Sequence, residues 1–428
     1  MSRKINRRVF LQTAALGSFV FHPRMLTKLT ALQKSKQNLS LENIAQDEDY
    51  WFQIRHAYSI DRNQINLNSG SVSPAPKVVQ KAMNDYLTIR NMSPSLYIDE
   101  IIYPHKENVR RRLAQMFGCN VEELAIVRNT NEGMQTVQLG LDLKKGDEVL
   151  TTTQDYPNML NAWDQRIRRD GIRLKKVPYK TPPNDMNELV KLFKNNISSR
   201  TKVIMFCHIT YTTGQIFPVK EICDFARKKG ITTIVDGAHA FAHFPFTVED
   251  LGCDFYATSL HKWLNAPIGS GFLYARKDRI KDVWSLMAST EAQKDNIRKF
   301  EVIGTAPIAN IAAITEAVAF NKGIGIDRKA ARLRYLKNTW MNNVKTLDRV
   351  KLYTSLDAEQ SCGIGAMEID GIGAMDLTNI LKDKYKIHIR PRFVPDEFEC
   401  IRVTPNLFTT MDDIHYFSDV IQKIIANS

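Results

Sequence analysis

Between residues 124 and 275 short apolar runs alternate with amphipathic stretches, and this alternation constrains the fold more than any other feature of the sequence. The runs Leu124–Val127, Glu148–Thr151, Arg173–Val177, Val203–Phe206, Thr232–Val235, Phe255–Ala257 and Gly271–Tyr274 have the length and residue types of strands. The intervening stretches read as helices. Pro218–Lys229 is one of them, with Pro near its start and Gly230 just past its end. Strands that are apolar throughout must be covered on both faces, so the pattern predicts a mostly parallel α/β sheet between layers of helix. Ligands of such sheets collect at the carboxyl ends of the strands.

The remainder of the chain reads differently. Residues 306–347 read as one long connecting helix. Beyond 349, strands near 351–354, 364–369, 387–390 and 400–403 mix with helices near 375–385 and 411–426, as in a smaller α+β domain. The expected division is a leader and linker over 1–40, a large α/β domain over 41–305, and the connecting helix with the small domain over 306–428. A chain of 428 residues is long enough for two such cores. The pentapeptide GIGAM occurs at 363–367 and 371–375, too short a match to define a repeat.

The formal net charge of +13 is unevenly placed. Residues 1–41 hold eight Lys and Arg and no acid, which leaves +5 for the rest of the chain. A body this mildly basic does not predict a nucleic-acid partner. The leader, MSRKINRRVFLQTAALGSFVF, has paired arginines (Arg7, Arg8) and then a modest apolar stretch, similar to a bacterial twin-arginine export signal. It predicts a periplasmic or exported protein handled by the twin-arginine machinery, or a cytoplasmic one if the leader is not used. The six cysteines are scattered without CxxC or zinc spacing, so most read as buried small hydrophobes and no metal site is expected.

Two strand ends carry the chemistry. TTIVDGAHA puts Asp236, then His239, at the end of one strand, and ATSLHKW puts Ser259, His261 and Lys262 at the end of the next. Asp236 alone is as easily a helix or turn cap. An acid and a lysine at neighbouring strand ends form either a structural ion pair or a cofactor clamp. Pyridoxal phosphate needs a lysine for its Schiff base and an acid facing its pyridinium nitrogen. Desolvation lowers a lysine pKa and makes the amine a usable nucleophile and base. RNTNEGMQTV opens a helix after a strand, where Thr130 and Asn131 can offer side chains to a phosphate and the backbone N–H groups of the first turn point the same way. A plain helix cap at Thr130 or Asn131 explains that stretch equally well, and the Glu132 charge must point away. Tyr156, in a loop before Pro157, is a candidate stacking ring.

Taken in order, NTNEG, DYPN, HITYTTGQIFPV, VDGAHA and SLHKW resemble class V aminotransferase-like enzymes of fold type I, over roughly residues 64–425. NLNSGSVSPAP and IRVTPNLFTTMDDI make the isopenicillin N epimerase-like branch the nearest match. The resemblance implies a fold type I transferase with pyridoxal 5'-phosphate. Lys262 and Asp236 would be the catalytic pair, and His239 would lie beside the ring hydroxyl. Tyr156 would stack on the ring, and Thr130, Asn131, Glu132, Ser259 and His261 would hold the phosphate. It also implies a homodimer, with Thr305 of EVIGTAP reaching the partner's phosphate. Arg390 matches the arginine that takes a substrate carboxylate, with Arg392 and Arg402 as rivals. A guanidinium fork suits that group.

The implied activity is epimerisation or transamination of an amino acid or amino-acid-like compound. Cysteine desulfuration is the alternative, and it is weakened because Cys400 falls where a strand begins. A non-catalytic binding protein on this fold conflicts with the presence of both Lys262 and Asp236. A nicotinamide-dependent oxidoreductase lacks its G-x-G-x-x-G fingerprint.

Overall fold

A computed structural model describes Thr27, residues 31–36 and residues 38–427. The leader with Arg7 and Arg8 lies outside the described residues. After a two-residue strand β1 (Ile65–Asn66), the seven apolar runs form one sheet. Its strands are β2 (Leu124–Val127), β3 (Glu148–Thr152), β4 (Arg173–Val177), β5 (Thr201–Cys207), β6 (Thr232–Asp236), β7 (Phe255–Ser259) and β8 (Gly271–Ala275). Their order is β2-β8-β7-β6-β5-β3-β4, and only β8 runs against the others. The inner strands β7 and β8 are buried throughout, as continuous apolar runs require. The edge strand β4 carries Arg173, Lys175 and Lys176, charges that discourage pairing with another chain.

The small domain is built on a four-stranded antiparallel sheet, β12-β13-β10-β9, formed by β9 (Val350–Leu352), β10 (Gly365–Ile369), β12 (Arg390–Val394) and β13 (Phe398–Val403). The run expected as one strand over 387–390 divides at Ile389. Its first part, β11 (Ile387–His388), pairs in parallel with β1, while its second part joins β13 as β12. Residues 65–71 therefore lie against the small domain: Leu67 is in its core and Asn68 bridges to Thr404. The two GIGAM copies adopt unlike structures, one entering β10 and the other opening the helix Ala374–Tyr385.

The long helix expected over 306–347 is three helices: Ile308–Ala312, Ile314–Ile324 and Ile326–Val344. Gly325, at φ +91°, is outside helical geometry and forces the second break. Ala313 to Leu333 pack in the core under the large sheet, whereas Leu336, Trp340 and Val344 pack in the small-domain core. The two cores meet along the last of these helices. All six cysteines are unpaired; five are buried and Cys119 is half-buried.

Candidate active site

The carboxyl ends of β2, β5, β6 and β7 open on one cavity of about 350 Å³. Two glycines let the loops close around it. A Cβ on Gly237, directly after β6, would lie 1.9 Å from the Tyr256 ring. A Cβ on Gly271, at the start of β8, would lie 2.6 Å from Thr258 O and 2.8 Å from Asn129 Cα. Only a bare backbone permits either approach. Lys262, Asp236, Thr130, Asn131, Tyr156, His239, Ser259, His261 and Arg390 all line the cavity. So do Arg392 and Arg402, while Glu132 and Thr305 do not.

Among the described residues no carboxylate lies within ion-pairing distance of Lys262. Its Nζ lies 3.3 Å from His239 Nε2. The Trp263 indole, which can only donate, gives its N–H to His239 Nδ1 at 3.4 Å. Nδ1 therefore accepts, and the His239 hydrogen sits on Nε2, facing the lysine. Two donors cannot share a hydrogen bond, so this contact suits an uncharged amine. The electrostatics agree. Burial brings Lys262 down to about 8, against a weaker opposing pull from Asp236, and Arg402 and Arg392 add to the lowering. Burial also holds His239 well below its usual range. Asp236 is raised by burial to about 6, although it accepts a hydrogen bond from Ala238 N at 2.9 Å.

The lysine loop is braced from behind. Trp263 is fully buried and stacks on His243, with centroids 3.6 Å apart and planes 10° apart. His243 is fixed in turn by His239 O at 2.7 Å and Gly363 N at 2.8 Å. Lys329 bonds Trp263 O and Asn321 Oδ1. The two histidines of HAFAH, four residues apart, were the signal that this wall is a polar network.

At the far end, Thr130 N and Oγ1 lie 3.0 and 2.7 Å from Ser259 Oγ, joining the helix start to the end of β7. The cap of the helix Thr130–Gly140 is Asn129, not Thr130 or Asn131. Asn129 Oδ1 takes the Glu132 N–H at 3.0 Å, which removes that backbone group as the expected phosphate donor. The Glu132 carboxylate is turned away and paired with Arg128 at 3.0 Å. His261 Nδ1 is buried without a partner, the mark of a group that a ligand satisfies. Tyr156 meets Tyr211 edge-on, 5.2 Å between centroids.

Arg402 is buried and donates to Tyr211 O at 2.7 Å, Ser71 Oγ at 3.0 Å and Asn68 Oδ1 at 3.3 Å. Arg390, expected as the carboxylate arginine, is exposed at the rim. Ser71 and Gly70 line the cavity from the N-terminal segment, reached through the β1–β11 ladder. Of the cysteines only Cys207 lines it, and burial followed by Asp155 and Asp236 raises that thiol well above its ordinary range. Cys400 is enclosed in β13 against Tyr353 and Ala366, so it is packed as expected.

These residues fit pyridoxal phosphate: a desolvated lysine with a lowered pKa, a buried acid on a neighbouring strand end, and hydroxyl groups and an unpartnered imidazole nitrogen beside a helix start. Comparison with known proteins agrees on the class. The model of the aminotransferase class-V family matches residues 65–391, and the chain belongs to that family. Pyridoxal phosphate is its cofactor, and its fold is that of the fold type I enzymes. The chain is 27% identical to isopenicillin N epimerase of Streptomyces clavuligerus over 391 residues, 87% of this chain and 98% of that protein. It is also 27% identical to a cysteine desulfurase of Haloferax volcanii, over 75% of this chain and 78% of that one. A C-DES mutant with glycine covalently linked to its pyridoxal phosphate superposes with a TM-score of 0.76 at 21% identity, covering 85% of this chain and 98% of its own. The apo cysteine desulfurase of Thermococcus onnurineus NA1 gives 0.76 at 22%, covering 88% and 98%.

Proposed function

We propose that the protein moves the α-proton of an amino-acid substrate, in an epimerisation or a transamination, with Lys262 as the proton carrier. The observation that carries this reading is a buried Lys262 amine that faces the His239 Nε2–H with no carboxylate partner among the described residues, in a cavity whose one cysteine, Cys207, is buried and held protonated. Desulfuration needs a thiolate that can reach the substrate, and no cavity-lining residue among those described offers one. The match to isopenicillin N epimerase over nearly that protein's full length supports the same choice.

Bound pyridoxal phosphate supplies an electron sink for the charge left at the α-carbon. Asp236 would pair with the ring nitrogen and His239 would lie beside the ring hydroxyl. Thr130, Asn131, Ser259 and His261 would hold the phosphate, and Tyr156 would cover the ring. Arg402 takes the α-carboxylate, because its guanidinium is already fixed by three neutral acceptors and its Nε–H is free. Lys262 Nζ would take the proton from the α-carbon, and epimerisation would then need a proton delivered to the opposite face, for which the hydroxyls of Tyr156 and Tyr211 line the cavity.

The active form is a homodimer in this reading. Thr305 is exposed and outside its own cavity, as a residue serving a partner's site must be. Val302 and Ile268 are exposed apolar residues, and Asn310 Nδ2, five residues after Thr305, bonds Ile268 O at 2.8 Å. The leader directs export of the folded, loaded protein. A reporter fused to residues 1–40 that reaches the periplasm only with Arg7 and Arg8 intact supports this, and one that stays in the cytoplasm refutes it.

Chiral analysis after incubation with single-enantiomer amino acids tests the activity. Appearance of the opposite enantiomer without a keto acid indicates epimerisation, and conversion only with a keto acid indicates transamination. Sulfide release from cysteine, with neither of these, contradicts the reading.

A further inference from the structure

Three arginines face a cavity that needs one for an α-carboxylate. Arg390 and Arg392 are two positions apart on β12, so they lie on one face of the strand. Arg390 also stands directly across from Arg402 on β13. Like charges placed opposite each other destabilise a sheet, yet no carboxylate among the described residues pairs with any of the three. Arg402 bonds only neutral oxygens. Arg392 has a single long contact, Nη1 to Pro391 O at 3.5 Å, and its Nε is buried without a partner. Its guanidinium lies 5.3 Å over the Tyr211 ring, which orients it without neutralising it. Burial, partly offset by Tyr211, and then Arg390 bring Arg392 down to about 10, so its charge is held at a cost. The acids near the cavity do not relieve this: Asp236 belongs to the cofactor end, and Asp155 is committed to Thr151 and Thr152.

We infer that Arg392, set on Tyr211 with Arg390 beside it, is a second anion subsite, and that the substrate is an amino acid carrying a second, distal carboxylate. Arg402 takes the α-carboxylate and Arg392 the side-chain one. The inference rests on the proposed function for the assignment of Arg402, but the subsite itself requires only carboxylates. The substrate thereby supplies the negative charge that the fold omits, and neutral amino acids of equal length leave the half-buried Arg392 unpaired.

Calorimetry on the holoenzyme separates the two ideas. Glutarate and butyrate lack an amino group, so they report carboxylate binding alone. Glutarate should bind at least about tenfold more tightly than butyrate, the scale of one charge-assisted hydrogen-bonded pair. Arg392→Gln should remove that preference and leave butyrate binding unchanged, and Arg392→Lys, which keeps the charge without the fork, should retain part of it. With amino acids, KM for L-glutamate should lie below that for L-glutamine in the natural protein and rise selectively in Arg392→Gln. Equal binding of glutarate and butyrate overturns the subsite, as does an Arg392→Gln variant that weakens both equally while Arg392→Lys restores neither. Tight, Arg392-dependent glutarate binding without turnover of any amino acid leaves the subsite standing and overturns the proposed function.

Discussion

Lys262 shows how much of a residue's chemistry is set by its immediate neighbours. An exposed lysine stays charged to near pH 10.5, but burial brings this one to about 8. Only the uncharged amine attacks a carbonyl carbon. The rate at which stripped protein gains the visible absorption of bound pyridoxal phosphate should therefore rise with pH and level off above about 8, rather than climb toward 10.5. Lys262→Ala should gain no borohydride-sensitive band at any pH. A loading rate still rising at pH 10 would show that the amine is not desolvated. The cavity residues contributed by the large sheet were legible in the sequence, because they follow strand ends in motifs of distinctive composition. Arg402 was harder to single out. Three arginines within thirteen residues are equivalent in sequence, and only the β12–β13 pairing shows which is buried and which stands at the rim.

At the scale of elements, the turns after the strands decide whether the site exists. Gly237→Ala would push a methyl group into the Tyr256 ring, so it should cost about 2–3 kcal/mol, the scale of an overpacked core, and lower the urea midpoint. Asn129→Ala removes the cap of the helix Thr130–Gly140 and should cost about 1 kcal/mol by the same measurement. An unchanged midpoint in both variants would contradict the close packing described for these loops. The central strands were legible because most are apolar runs between helical patterns, whereas the edge strand β4 is rich in lysine and arginine. The broken helix over 308–344 was not, since apolar periodicity continues across Ala313 and Gly325 and only the chain direction changes. The β1–β11 ladder was invisible for a different reason: two residues of strand carry no pattern, and their partners lie more than three hundred residues away.

At the scale of the molecule, the site is a seam. The large sheet contributes Lys262, Asp236 and the phosphate-side groups, and the small domain brings the arginines across. The helix Ile326–Val344 belongs to both cores, so movement of one domain against the other must bend or shift it. Assembly belongs to the same scale. Sedimentation should give twice the mass of the chain, and Ile268→Asp should yield a monomer with weakened cofactor retention, because Thr305 then loses its partner; a natural protein that sediments as a monomer with full activity would refute the dimer. The central claim is that Lys262 moves the α-proton of an amino acid, and hydrogen exchange measures that step directly, whatever product follows. In deuterium oxide, proton NMR of L-glutamate or another accepted amino acid should show loss of the α-hydrogen signal with the natural protein and its retention with Lys262→Ala. Sulfide formed from cysteine, with the α-hydrogens of every amino acid offered left unexchanged, would contradict the account.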